Sequence, residues 1–145
     1  MTAPAAMHVL IVDDNPSDVM LIKMTLKEAG LCFETTVADD GDAAIAFLRG
    51  PGCRPDLIIL DLNLPKRHGT EVLQMIRAGG WSANALVVVL SSSPQDVIAE
   101  VVQAANVEAD CYLTKPPSLD EFLALGGRIR ECFEARYGKS GTAVG

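Results

Sequence analysis

Asp13 and Asp14 form a carboxylate pair directly after the apolar run 8–12. Asp61 follows the apolar run 57–60, with Asn63 two residues later. Ser91, with Ser92 and Ser93, follows 85–90, and Lys115 follows 111–114. In chain order, four runs of strand length therefore end in an acidic pair, an Asp, a Ser and a Lys. Three carboxylates brought to one place repel one another unless a cation lies between them. Oxygen ligands from carboxylates, a backbone carbonyl and water suit Mg²⁺. Such an ion, one ammonium and one hydroxyl together make a receptacle for a phosphoryl group. Taken singly, each residue has an ordinary explanation. An acidic pair caps a helix, an Asp closes a strand, a Ser opens the next helix. The joint pattern argues for a single site.

The elements that must position these residues follow from the apolar periodicity. Strands are predicted at 8–12, 33–37, 57–60, 85–90 and 111–114. Pro16 opens a first helix, in which Val19, Ile22, Leu26 and Ala29 recur at helical spacing before Gly30 stops it. Further helices are predicted at 41–48, 68–78 and 94–105, the second closed by Gly50-Pro51-Gly52 and the third by Gly79-Gly80. A last helix runs from Ser118 to Tyr137. Ser118 with Glu121 makes a capping box at its start. Gly126-Gly127 inside it costs roughly 1 kcal/mol per Gly relative to Ala.

Five strands alternating with five helices predict an α/β fold, a parallel sheet covered on both faces. Crossovers are right-handed, and the ligand site lies beyond the carboxyl ends of the strands. Asp13, Asp14, Asp61, Asn63, Ser91 and Lys115 all fall at those ends.

A chain of 145 residues fits one domain. It is expected to occupy 8–137, with tails at 1–7 and 138–145 and no output domain. Twelve Lys+Arg against 19 Asp+Glu give a net charge of −7. That balance disfavours binding to nucleic acid or to anionic membrane. The longest apolar runs, such as 85–90, fall far short of the about 20 residues a membrane span needs. Residues 1–7 carry no Lys or Arg and do not read as a secretory leader, so a cytoplasmic location is expected. Cys32, Cys53, Cys111 and Cys132 lack metal or redox spacing and read as reduced thiols. His8 and His68 have no partner at ligand spacing and read as structural or surface residues. Trp81 reads as a packing anchor.

Four segments resemble the receiver domain of two-component response regulators. They are Val9-Leu10-Ile11-Val12-Asp13-Asp14-Asn15, Asp61-Leu62-Asn63-Leu64-Pro65-Lys66 with Gly69, Val89-Leu90-Ser91-Ser92, and Tyr112-Leu113-Thr114-Lys115-Pro116. The resemblance implies a flavodoxin-like fold with strand order 2-1-3-4-5. It implies Asp61 as the phosphoacceptor and a Mg²⁺ site at Asp13 and Asp14, with Asp14 and Asp61 as direct ligands and the Asn63 backbone carbonyl as another. Lys115 would pair with the phosphoryl oxygens. Ser91 takes the place of the switch Ser/Thr, and Tyr112 that of the switch aromatic. The partner implied is a sensor histidine kinase, whose phosphohistidine is the donor, and the response is a conformational change at helix four, strand five and helix five. Such a protein is a phosphoacceptor that promotes its own phosphotransfer and slow dephosphorylation, not an enzyme with a separate substrate. A narrower likeness, in Asp14-Asn15-Pro16-Ser17-Asp18, Lys66-Arg67-His68-Gly69 and 109–116, is to stand-alone regulators that partner phytochrome-type kinases.

Three alternatives fare worse. A phosphatase working through a phosphoaspartate needs a second acid beside the nucleophile, and Asn63 cannot supply one. A degenerate receiver used only for docking would have no need of Asp13, Asp14, Asp61, Ser91 and Lys115 together. A nucleotide-binding domain would show a glycine-rich phosphate loop after strand one, and none is present.

Helix four carries Val97, Ile98, Val101, Val102, Ala104 and Ala105 over more than one face. The last helix is similarly broad, with Leu119, Phe122, Leu123, Leu125, Ile129, Cys132 and Phe133. Apolar surface in excess of one stripe marks an interface, so an isologous homodimer through helix four, strand five and helix five is expected.

Overall fold

Odd and even residues of the central strands serve two different cores. The computed structural model describes residues 7–31, 33–50, 55–64, 68–79, 85–104 and 109–137. The expectations for Cys32, Cys53, Pro51-Gly52, Lys66-Arg67, Trp81, Ala105 and both terminal tails lie outside those residues. The strands are β1 (Met7–Val12), β2 (Phe33–Ala38), β3 (Leu57–Leu60), β4 (Leu86–Ser91) and β5 (Cys111–Thr114). The helices are α1 (Pro16–Glu28), α2 (Gly41–Arg49), α3 (Gly69–Gly79), α4 (Gln95–Ala104), α5 (Leu119–Leu123) and α6 (Leu125–Tyr137). All pairings are parallel, and the strand order is β2-β1-β3-β4-β5.

On one face Leu10, Val12, Ile58, Leu60, Val87 and Val89 pack with Ile45 and Leu48 of α2, Leu73 and Ile76 of α3, and Ile98 and Val102 of α4. On the other, Val9, Ile11, Leu57, Ile59, Val88 and Leu90 pack with Ile22 and Leu26 of α1, Phe122 of α5, and Leu125 and Ile129 of α6. Because both faces are covered, β3 and β4 are buried along their whole length. That is why they read as unbroken apolar runs. The edge strands β2 and β5 are only partly buried.

The last helical stretch differs from the single helix expected over 118–137. It is two segments that meet at Ala124. The buried Thr25 of α1 serves the junction: its hydroxyl donates to the Leu123 carbonyl at 2.6 Å and accepts from the Gly126 N–H at 2.7 Å. One side chain thus satisfies two backbone groups that the break leaves without helical partners. Gly126 lies hard against α1. A Cβ built there would stand 2.0 Å from the Thr25 carbonyl oxygen, whereas one on Gly127 would meet nothing within 4 Å. Arg130 donates to the Ala29 carbonyl at 2.7 Å, closing the C-terminal end of α1 against α6.

The breadth of the apolar pattern near the C-terminus is also explained by the core. Phe122, Leu125 and Ile129 are buried, and Leu119 is the large apolar residue of α5 left exposed. On α4, Ile98 and Val102 are buried, while Val97 and Val101 are 40% and 36% exposed. Among the described residues, no helix is long and apolar enough to cross a membrane.

Candidate functional site

The sheet ladder carries each polar residue to the same edge. The Asp13 N–H donates to the Ala38 carbonyl at 3.0 Å, and the Asp61 N–H to the Val12 carbonyl at 2.9 Å. Ser91 is the last ladder residue of β4, one position inside the strand, because it pairs with Thr114 of β5. The Lys115 N–H then donates to the Ser91 carbonyl at 2.7 Å. Asp13, Asp61 and Lys115 therefore leave β1, β3 and β5 at the carboxyl ends of adjacent or near-adjacent strands.

Local turns hold the side chains. Asp13 Oδ1 accepts from the Asn15 N–H at 2.9 Å, and Asp61 Oδ1 from the Asn63 N–H at 3.1 Å. Gly69 keeps the β3–α3 connection tight: its N–H donates to the Leu62 carbonyl at 2.8 Å. A Cβ there would fall 2.4 Å from Leu62 Cα and 2.5 Å from the Asp61 carbonyl oxygen. The glycine eight residues after the acid is thus needed for close backbone approach behind Asp61.

Asp13 and Asp61 are buried and Asp14 is exposed; one oxygen from each lies within 4.8 Å of the others. That donor set, carboxylate oxygens open to solvent on one side, fits a hard divalent cation. Lys115 lies against the same group. Its Nζ is 2.8 Å from Asp13 Oδ2, 2.8 Å from Asp18 Oδ2 and 3.3 Å from Asp61 Oδ2. Burial works against the ammonium, but the hydrogen bonds to Asp13 and Asp18 and the charges of Asp61 and Asp13 outweigh it and raise its pKa. Lys115 is therefore held as a cation at neutral pH. Burial raises the Asp13 carboxyl, against the pull of Lys115 and of the Asn15 N–H.

Ser91 is buried beside this group. Its Oγ accepts from the Ser93 N–H at 3.3 Å and lies 3.5 Å from Asn63 Nδ2. Thr114 Oγ1 donates to the Ser93 carbonyl at 2.9 Å, tying the β4–α4 connection to β5. Tyr112 is half-buried and packs with the α2–α3–α4 core, and its hydroxyl oxygen accepts from the Ala109 N–H at 2.7 Å. His8 stacks on Phe47 and hydrogen-bonds Thr36 through Nε2, and His68 Nδ1 lies 2.8 Å from Thr70 Oγ1.

Asp18 is the participant that sequence reasoning did not single out. It is the third residue of α1, where an acid ordinarily complements the helix dipole. That reading hides it. The available signal was the fixed helix start: Asn15 caps α1 by accepting from the Ser17 and Asp18 N–H groups, and Pro16 follows. With the start pinned, Asp18 is held at the mouth of the crevice.

Residues 9–125 match the response regulator receiver domain. The chain belongs to that family. It is 36% identical over 122 residues to the response regulator Rcp1 of Synechocystis sp., covering 81% of this chain and 82% of that protein. The crystal structure of the phosphorylated cyanobacterial phytochrome response regulator RcpA is 35% identical, with a TM-score of 0.76 over 89% of this chain and 94% of that one. The Mn²⁺-bound form of Rcp1 gives 35% identity and a TM-score of 0.72, over 86% and 92% of the two chains. Other curated relatives are longer, and the chain spans 45% of the length of two of them. The fold is the flavodoxin-like one expected, and the receiver places the chain in two-component signalling.

Proposed function

We propose that this receiver accepts a phosphoryl group on Asp61 from the phosphohistidine of a phytochrome-type sensor histidine kinase, with Mg²⁺ as the cation. The observation that carries the reading is the position of Asp61, which belongs to the carboxylate trio and whose Oδ2 lies 3.3 Å from the Lys115 ammonium. The likeness to Rcp1 and RcpA supports the choice of kinase class.

In the transfer, an Asp61 carboxylate oxygen attacks phosphorus in line. The P–O bond forms as the P–N bond to histidine breaks, and its electron pair returns to the imidazole nitrogen. Lys115 donates hydrogen bonds to the phosphoryl oxygens, so the chain contributes position and electrostatics rather than acid–base chemistry. Mg²⁺, held by Asp14 and Asp61 with Asp13 and the Asn63 carbonyl beside it, would neutralise charge on those oxygens. Asn63 offers no carboxyl to activate water, so self-dephosphorylation is slow. The Ser91 hydroxyl turns to the phosphoryl group and loosens its hold on Ser93. The bond from Thr114 to Ser93 passes that change to β5, beside Tyr112, and so to the surface of α4, β5 and the α5–α6 stretch. Phosphotransfer from a bacteriophytochrome-type kinase should outpace transfer from an unrelated kinase. Equal rates would remove the kinase assignment.

The metal reading predicts a stability effect. A cation that binds the native state alone stabilises it by roughly 1.4 kcal/mol at ten times its Kd. At roughly 2–4 °C per kcal/mol for a chain of this size, thermal melts should rise by several degrees with millimolar Mg²⁺. Superimposable melts with Mg²⁺ and with chelator would count against the site.

The exposed Val97 and Val101 of α4 and Leu119 of α5 support an isologous dimer across α4, β5 and the last helical stretch, α5 with α6. Light scattering should give a dimer mass in the high micromolar range, and Val101→Glu should return it to monomer. A wild type that stays monomeric there, with and without beryllofluoride, rules the dimer out. Phe122 is unsuitable for this test, since it is buried in the core.

A further inference from the structure

Lys115 has three carboxylate partners, and they are not equivalent. Asp13 and Asp61 belong to the trio that fits a divalent cation; Asp18 does not. A cation drawn to that trio competes with Lys115 for both Asp13 and Asp61, and it repels the ammonium. Asp18 is the partner it leaves alone. Asp18 also sits on a separate element, the first turn of α1, with its backbone N–H held by the cap Asn15. An ammonium has three hydrogens. The two short contacts, 2.8 Å each to Asp13 and Asp18, leave the longer 3.3 Å direction pointing at Asp61.

We propose that Asp18 is a positioning residue, which retains the Lys115 ammonium at the mouth of the crevice and aimed at Asp61 when a divalent cation claims Asp13 and Asp61. The inference rests on Asp61 being the phosphoacceptor. Asp18 itself contacts no reacting atom and acts through Lys115. Without it, the cation-loaded crevice holds no uncommitted counter-charge for the lysine, and the side chain swings out to solvent.

The test uses the full chain with phosphoramidate as donor, so no kinase surface is involved. Asp18→Asn should lower the rate of Asp61 phosphorylation at saturating Mg²⁺ by about tenfold, the scale of one charge-assisted hydrogen bond. Asp18→Glu should recover most of it. In a Lys115→Ala background, Asp18→Asn should cost nothing further. A second readout is independent of phosphorylation: the NMR signal of the Lys115 ammonium. It should be present in wild type with or without Mg²⁺ and in metal-free Asp18→Asn, where Asp13 still holds it. It should vanish in Mg²⁺-loaded Asp18→Asn. An ammonium signal that persists there overturns the proposal, as does a rate loss of the same size in the Lys115→Ala background. A wild type that takes no label defeats the phosphoacceptor reading instead, and the ammonium signal alone then decides on Asp18.

Discussion

Asp61→Asn is expected to take no phosphoryl label from a phosphohistidine kinase or a small-molecule donor, at any Mg²⁺ concentration. The carboxamide has the shape of the carboxylate but not its nucleophilic oxygen. The loss should therefore be to background rather than by a factor. Asp13→Asn and Asp14→Asn should act differently. Each leaves the nucleophile in place and weakens the cation site, so labelling falls and the Mg²⁺ needed for half-maximal rate rises. Misfolding is separable from these effects. Asp13, Asp18 and Asp61 contact the Lys115 ammonium, and Asp14 joins Asp13 and Asp61 in the carboxylate trio. Asp61→Asn removes one of four negative charges at the expense of the longest of three lysine contacts, so the metal-free protein should melt higher than wild type. The label on wild type should be removed by hydroxylamine, as an acyl phosphate is. Labelling of Asp61→Asn at the wild-type rate would place the acceptor elsewhere.

The strand-end residues were legible because burial on both faces makes β3 and β4 continuous apolar runs. Where such a run stops, a polar residue stands at the carboxyl end of the sheet, so Asp61 could be placed from the sequence; Lys115 follows the partly buried β5 and was placed by the strand-length run 111–114 alone. Ser91 fell one position inside β4 because its pairing with Thr114 depends on β5, and a neighbour's register is not written in the strand itself. Asp18 was masked by a local explanation of equal plausibility, the acid in a first helical turn. Its contact with Lys115 joins positions 97 residues apart, which no local pattern encodes. The apolar breadth of the last helical stretch suggested surface in excess. Instead Phe122, Leu125 and Ile129 fill the core shared with α1. A five-residue segment and a 13-residue one set at a break present different residues inward than one straight helix would.

The same break makes the neighbouring glycines 126 and 127 respond in opposite directions. By helix propensity alone, Gly→Ala at either position should stabilise by roughly 1 kcal/mol. Gly127 is exposed and a Cβ there meets nothing, so Gly127→Ala should gain up to about that much. At Gly126 the new methyl would stand 2.0 Å from the Thr25 carbonyl oxygen and 2.7 Å from its carbon. Those are backbone atoms inside α1 and cannot swing aside. The clash is relieved only by moving α6 away from α1, which stretches the Thr25 hydroxyl bonds to Leu123 and Gly126 and thins the core around Ile129. Overpacking of this kind costs roughly 1–3 kcal/mol or more, beyond any gain in propensity. Melting temperatures should therefore fall by several degrees for Gly126→Ala and hold or rise for Gly127→Ala. Thr25→Val, which keeps the shape and removes the hydroxyl, should share the loss seen at Gly126. If both alanine variants melt above wild type, α6 does not cross α1 over Thr25, and Gly126 is merely a weak point in the helix.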